Sequence, residues 1–360
     1  MAHPFSNRPD FEGLSREQFG FGTGRPLAPD AAAIVRNFAA SIPRITEEDG
    51  TVWSGYANLY SDTLYTLAHG TPQEFDTVLG YLFATPLTHG FTQGHVVFSA
   101  LKTVDHAWSH NGSIFMDRFY RLAEATGARR VQSREHTQTS IKIEDLDRML
   151  ADIEAVVGID LTPPPQSGEL FGVKLDKGVF CDRHFDGIYG AWRIRELARA
   201  RGITDPSLVE IGGGAGFVAY YARKMGFKKI AVVDLKPVNM VQYMVLADAF
   251  GAEHASLTTP LSDGIQMVQA DMAAATDFSG FDFVLNIDSL PEMPPSAASA
   301  YINAIQAGQF FLSINQESGY PNGDHAQNVV FELAAARKLR RVYRVPAWLR
   351  SGYVEEFYEG

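Results

Sequence analysis

Cysteine is almost missing from this chain: Cys181 is the only one in 360 residues. No intrachain disulfide can form, and a cysteine-built zinc site is excluded. Long apolar runs are missing too. Nothing approaches the roughly 18 to 20 residues of a membrane-spanning helix, so no membrane partner is expected. The start, Met1-Ala2-His3-Pro4-Phe5, lacks the charged and then apolar stretch of a secretory signal. With the lone thiol, this points to a cytoplasmic location. Basic residues are outnumbered, 31 against 42 acidic ones, for a formal net charge of -11. That field repels phosphate, and the densest basic runs, Arg129-Arg130 and Arg337-Lys338-Leu339-Arg340-Arg341, are too short to override it. No nucleic-acid partner is expected. Internal repeats and low-complexity tracts are also absent.

What is present falls into two regimes. The length allows two domains, or one with a large elaboration. Apolar residues at three-to-four spacing predict helices over 31–41, 56–68, 71–83, 116–126 and 143–157. Thr71-Pro72-Gln73-Glu74 reads as an N-cap with proline at the first helical position, and Gly127 as a helix stop. Residues 1–160 are therefore expected to form a helical accessory region that binds the acceptor, and a homodimer contact is looked for there. Three successive prolines, Pro163 to Pro165, read as a linker, so 161–200 is taken as linker plus an entry helix over about 187–201. From 201 to 360 strands and helices alternate. Strands are expected at 208–211, 230–234, 265–270, 281–287 and 309–314, followed by a terminal pair at 341–345 and 353–358. Such alternation implies an α/β, Rossmann-like parallel sheet covered by helices on both faces, with ligands beyond the C-terminal strand ends.

The first of these strands runs Leu208-Val209-Glu210-Ile211 into Gly212-Gly213-Gly214-Ala215-Gly216. Glycines where a strand turns into a helix let a ligand lie against bare backbone N–H groups. A dinucleotide fingerprint would need its third glycine at 217, where Phe217 stands. A dehydrogenase, the rival reading, fails on that spacing. The pattern Glu210, Gly212, Gly214, Gly216 instead resembles motif I of class I S-adenosylmethionine (SAM) methyltransferases. That resemblance implies a sheet of seven strands with the last antiparallel, SAM as cofactor and S-adenosylhomocysteine as product. Asp234 ends the second strand, where a carboxylate can accept from both ribose hydroxyls. Asp271 follows the third strand, with Met272 placed to pack on the adenine. Each acidic residue alone also reads as a helix N-cap.

Further segments carry a closer likeness. Val233-Asp234-Leu235-Lys236-Pro237, Asn286-Ile287-Asp288-Ser289-Leu290-Pro291-Glu292-Met293 and Ile314-Asn315-Gln316-Glu317 together resemble a family of bacterial sugar O-methyltransferases, over about 180–320. The family more often has proline directly after the leucine, where this chain has Lys236. The resemblance implies methyl transfer to a hydroxyl of a sugar or glycosylated small metabolite, as in natural-product biosynthesis. The cofactor is assigned to Glu210, Gly212, Gly213, Gly214, Gly216, Asp234, Leu235, Asp271, Met272 and Asn286. Arg183, His184 and Tyr189, just before the glycine turn, are candidates for the substrate, as are Ser289 and Gln316. A sugar hydroxyl has a pKa close to that of water, about 15 to 16, so a base or a metal is needed near neutral pH. Asp288, Glu292, Glu317 and His325, in the loops after the fourth and fifth strands, are the candidate bases, with His325, Glu292 and Asp288 preferred. A divalent metal held by Asp288, Glu292 and His325 is not favoured, because no tight ligand spacing links them. A peptide, amine or polyketide hydroxyl stays open as acceptor, as does a non-catalytic subunit that binds a partner through its helices.

Overall fold

A computed structural model describes residues 10–43, 59–131, 140–318, 321–322 and 325–360, with backbone alone at 273–274, 321–322 and 325–326. Residues 56–58 of the helix expected at 56–68 lie outside this set. The first half contains α1 (Pro29–Ala40), α2 (Ser61–His69), α3 (Pro72–Gly80), α4 (Gly94–Thr103), α5 (Ala107–Thr126) and α6 (Leu146–Val157), with short strands β1 (Asp10–Glu12), β2 (Phe19–Phe21) and β3 (Ser140–Lys142). A hairpin of β4 (Phe171–Leu175) and β5 (Gly178–Phe180) leads into α7 (Asp182–Arg199). The second half runs β6 (Leu208–Ile211), α8 (Phe217–Lys224), β7 (Lys229–Asp234), α9 (Lys236–Phe250), β8 (Ala255–Ser256), β9 (Gly264–Gln269), β10 (Phe283–Ile287), α10 (Pro295–Ala304) and β11 (Phe310–Gln316). A small hairpin, β12 (Pro321–Asn322) with β13 (His325–Ala326), precedes α11 (Val330–Ala336), β14 (Arg340–Pro346) and β15 (Tyr353–Glu359).

Most of the second half's strands form one mixed sheet in the order β14-β15-β11-β10-β6-β7-β9-β8. The strands from β11 to β8 pair in parallel, and β15 runs antiparallel to both of its neighbours. Eight strands replace the expected seven because β8, two residues at the edge, is too short to leave any alternation in the sequence. Successive side chains point to opposite faces. Val209, Ile211, Val233, Val284 and Phe311 pack under α10 and α11, whereas Leu208, Ile230, Val232, Leu285 and Leu312 pack under α7, α8 and α9. With both faces covered, these strands read as continuous apolar runs.

The second of these cores does not stop at α7. It continues through Val35, Leu67, Phe75, Phe119 and Ile153, so the first half is built onto one face of the sheet. Phe119 stacks on Phe185 with ring centroids 4.9 Å apart, joining α5 to α7. Burying a ring of this kind contributes roughly 1.5–3 kcal/mol. Local signals behave as their chemistry requires. Thr71 and Glu74 cap α3 reciprocally, Thr71 N donating to Glu74 Oε2 at 2.7 Å and Glu74 N to Thr71 Oγ1 at 3.2 Å. Gly127 ends α5 in the left-handed region, at φ 83°.

Three expectations change. Helix α4 was not anticipated, because Val96, Val97 and Phe98 give its sequence a strand-like look. The proline stretch is not a bare connection: Leu161, Pro163, Pro164 and Gln166 are buried, and Tyr220 OH donates to the Thr162 carbonyl at 2.9 Å. Proline brings no N–H that needs a partner, so such a segment can be buried without an orphaned donor. Helix α7 starts a turn earlier than expected, at Asp182, because His184 Nδ1 accepts the Cys181 N–H at 3.0 Å and satisfies a donor that a free helix end would leave open.

Candidate functional site

A cavity of about 420 Å³ opens at the C-terminal ends of β6, β7, β9 and β10. Its floor is the glycine turn. Gly212 sits at φ 72°, and a Cβ there would come within 2.1 Å of Ser289 Oγ, so only glycine fits. Gly214 donates its N–H to Asp234 Oδ2 at 3.2 Å, and its carbonyl accepts from Gln242 Nε2 at 3.0 Å, which ties the turn to β7 and α9. Glu210, Gly212, Gly213, Gly214, Asp234, Leu235 and Asp271 all line the cavity. Sequence reasoning thus brings these seven together on one wall.

The electrostatics of that wall are unusual. Glu210 is 3% exposed, and its Oε2 has no hydrogen-bond partner among the described residues. Burial, reinforced by the Asp234 charge, pushes its carboxyl up to about 8. Burial likewise pushes Asp234 up to about 7, against the lowering effect of hydrogen bonds from Leu235 N at 2.9 Å, from Gly214 N and from Gln242. Among the described residues neither carboxylate has a lysine or arginine within salt-bridge distance.

The opposite wall is built from α7 and the loop after β10. Arg183, Asp186, Asp288 and Glu292 line it. Asp186 Oδ2 receives Arg118 Nη1 at 2.7 Å and Arg350 Nη2 at 2.7 Å. Asp288 Oδ2 receives Arg350 Nη1 and, at 3.4 Å, Arg183 Nη1, while Tyr353 OH donates to Asp288 Oδ1 at 2.7 Å. Burial alone would raise Asp288, but the two arginines and these hydrogen bonds hold it below the usual carboxylate range. Glu292 lies in the opposite condition: burial, then the Asp288 charge, push it up to about 7, against Arg183 and Arg350. Asp288 occupies the left-handed region at φ 69°, where its N–H is held by Asn315 Oδ1 at 2.9 Å. Two neighbouring carboxyls with proton affinities pushed apart form the arrangement that acid–base chemistry uses.

Several expected site residues lie elsewhere. Met272 is 48% exposed and outside the cavity, because the chain turns tightly after β9, with Met272 N bonded to the Gln269 carbonyl at 3.0 Å. Gly216 backs onto Leu246 of α9 as the N-cap of α8. Asn286 is fully buried behind the wall and donates to the Ile211 carbonyl at 2.8 Å, bracing β6 against the loop that carries Ser289. Ser289 itself lines the cavity and donates to the same carbonyl at 3.0 Å. His184 is a core residue, its ring 4.0 Å from that of Phe217, and burial drives its pKa down to about 3. Tyr189 is buried and spends its hydroxyl on Glu355. Gln316 reaches Gln327 and not the cavity. The His325 side chain lies outside the described residues, and its backbone pairs with Asn322.

Residues that sequence reasoning missed complete the walls. Phe91 and Gly90, from the segment before α4, meet the glycine turn, and a Cβ on Gly214 would lie 3.3 Å from Phe91 Cβ. Asp186 had a readable signal, three residues after Arg183 on the same helix face. Arg350, in the loop before β15, had none.

No protein-family description matches the chain, and no curated protein does. Solved structures align with about half of it. PigF, solved with S-adenosylhomocysteine, is 14% identical over 49% of this chain and 59% of its own, at a TM-score of 0.34. The alignment thus spans well under two thirds of that protein. The 1,6-didemethyltoxoflavin-N1-methyltransferase of Burkholderia thailandensis is 20% identical, over 48% and 77% of the two chains, at 0.33. The [4+2]-cyclase SpnF is 15% identical, over 46% and 79%, at 0.35. Similarity at this level carries no information about chemistry, so the site itself has to supply it.

Proposed function

We propose that this chain is a SAM-dependent methyltransferase that modifies a hydroxyl of a sugar or glycosylated small metabolite. The observation that carries the reading is the pair of a buried Glu210 and a partly buried Asp234 beside a glycine cradle, with no lysine or arginine within salt-bridge distance among the described residues. A ligand with a cationic end and a vicinal diol fits these groups: Asp234 would take the ribose hydroxyls, Glu210 the cationic amino-acid end and Asp271 the adenine, over the backbone that Gly212 to Gly214 leave bare. SAM, when bound, supplies an electrophilic methyl group on a sulfonium. The chain's own residues then have to orient the acceptor and take its proton. Glu292 fits the second task, since a carboxyl titrating at about 7 is substantially ionised at neutral pH and still basic enough to accept. Asp288, kept ionised by Arg350 and Tyr353, fits the first.

The sugar acceptor rests on the sequence likeness over 180–320, and a wall carrying carboxylates and a guanidinium can accept from and donate to the hydroxyls of such a molecule. Residues 1–160 contribute Gly90 and Phe91 to the cavity, in keeping with a role in shaping the pocket. Calorimetric titration with S-adenosylhomocysteine tests the cofactor part, which fails if the wild-type protein does not bind. Mass spectrometry of a panel of sugars and peptides incubated with SAM tests the acceptor part. With the sugar that gains a methyl group, Glu292→Gln is expected to slow turnover by roughly 10²- to 10⁴-fold. A rate within a few-fold of wild type would remove Glu292 from the role of base.

A further inference from the structure

Among the described residues, Arg183 is the only lysine or arginine that lines the cavity. Its neighbours Arg118 and Arg350 are committed at short distance to Asp182, Asp186 and Asp288. Arg183 is held far more loosely. Its nearest carboxylates are Asp288 at 3.4 Å and Asp186 at 3.9 Å, both through the same nitrogen, Nη1, and its side chain is 30% exposed. A guanidinium has five donors in a planar fork, so most of Arg183's capacity faces the cavity unused by these pairs. Asp288, for its part, does not depend on Arg183, since Arg350 and Tyr353 also donate to it.

The sheet order says which part of a ligand Arg183 meets. If Asp234 and Asp271 take the ribose and adenine, the adenosine lies over β7 and β9. The remainder then falls over β6 and β10, on the far side of the glycine turn. That is where α7 arrives, its Gly187 packed so tightly on the start of α8 that a Cβ would stand 2.9 Å from the Phe217 carbonyl carbon. Resting on the cofactor reading above, we infer that Arg183 is shared: it pairs loosely with Asp288 in the empty site and turns to the α-carboxylate of the cofactor's amino-acid end in the filled one. Asp288 and that carboxylate compete for one guanidinium.

The test compares two ligands that differ at that end. S-adenosylhomocysteine carries the carboxylate, and 5′-methylthioadenosine keeps the adenosine and thioether without it. Calorimetric titration of both into wild type, Arg183→Ala and Arg183→Gln is expected to show homocysteine-ligand affinity reduced by roughly 10- to 100-fold in the variants, with the thioadenosine unchanged within about two-fold. Retained thioadenosine binding also shows that each variant is folded. Asp288→Asn, which tolerates the left-handed backbone, is expected to bind S-adenosylhomocysteine several-fold more tightly and the thioadenosine equally. Equal losses for both ligands, or no loss for either, in the Arg183 variants overturns the assignment; a selective loss in Asp288→Asn overturns the competition. If the wild-type protein binds neither ligand, it is the cofactor reading that falls.

Discussion

The two walls of the cavity treat their carboxylates in contrary ways. On the α7 side, Asp182, Asp186 and Asp288 share Arg118, Arg183 and Arg350, three charges against three, and only Glu292 on that wall is raised. On the β6 and β7 side, burial raises the proton affinity of both Glu210 and Asp234, the Asp234 charge raises Glu210 further, and among the described residues neither has a lysine or arginine within salt-bridge distance. A compensated wall keeps its shape with nothing bound. An uncompensated one is destabilised until a ligand brings donors and positive charge to it, so under the proposed function the second wall is where the cofactor would gain binding free energy, and the first would be a rigid frame for the acceptor.

The contrast can be broken at its strongest point first. Arg350→Met removes a buried cation from the buried Asp186 and the partly buried Asp288 and is expected to cost about 3–5 kcal/mol in urea unfolding; a cost under about 1 kcal/mol would mean that the frame does not need it. Asp234→Asn, on the other wall, is expected to weaken S-adenosylhomocysteine roughly 10- to 100-fold without loss of stability, and a destabilised variant would erase the difference between the walls. Glu210 and Asp234 bind protons more tightly folded, at about 8 and 7, than unfolded, at about 4. They therefore weaken folding progressively as pH rises from about 4 to about 8. Glu210→Gln is accordingly expected to stabilise the ligand-free protein by about 1–3 kcal/mol at pH 8 and by less at pH 5. Equal thermal shifts at the two pH values would contradict the sign. Smallest of all, Met272→Ala is expected to change ligand affinity by less than about two-fold, since the side chain is exposed beyond the rim.

What the sequence made legible follows from how local each signal is. Glu210, the glycines and Asp234 are fixed by one strand, one turn and the next strand tip, so spacing alone placed them together. Asp288 and Glu292 share a loop with β10 and were equally readable. His184 and Tyr189 were misplaced because their segment is helical from Asp182 onward. On a helix only one face meets the cavity, and Arg183, Asp186 and Gly187 occupy it. Arg350 could not be found, since a residue 62 positions beyond Asp288 in sequence becomes its partner only when β15 folds back beside β11. The small sheet of β2, β4 and β5 escaped notice for the same reason, as its pairing joins residues 19–21 to 171–173.

The central claim is that the cofactor wall holds raised carboxyls that a ligand's donors relieve. At pH 7 these groups carry part of their protons, and donors that favour the ionised form should expel them. Calorimetric titration of S-adenosylhomocysteine at pH 7 in two buffers of different ionisation enthalpy measures this directly. The account expects binding with net release of a fraction of a proton. Binding with net proton uptake, or no binding at all, would contradict it.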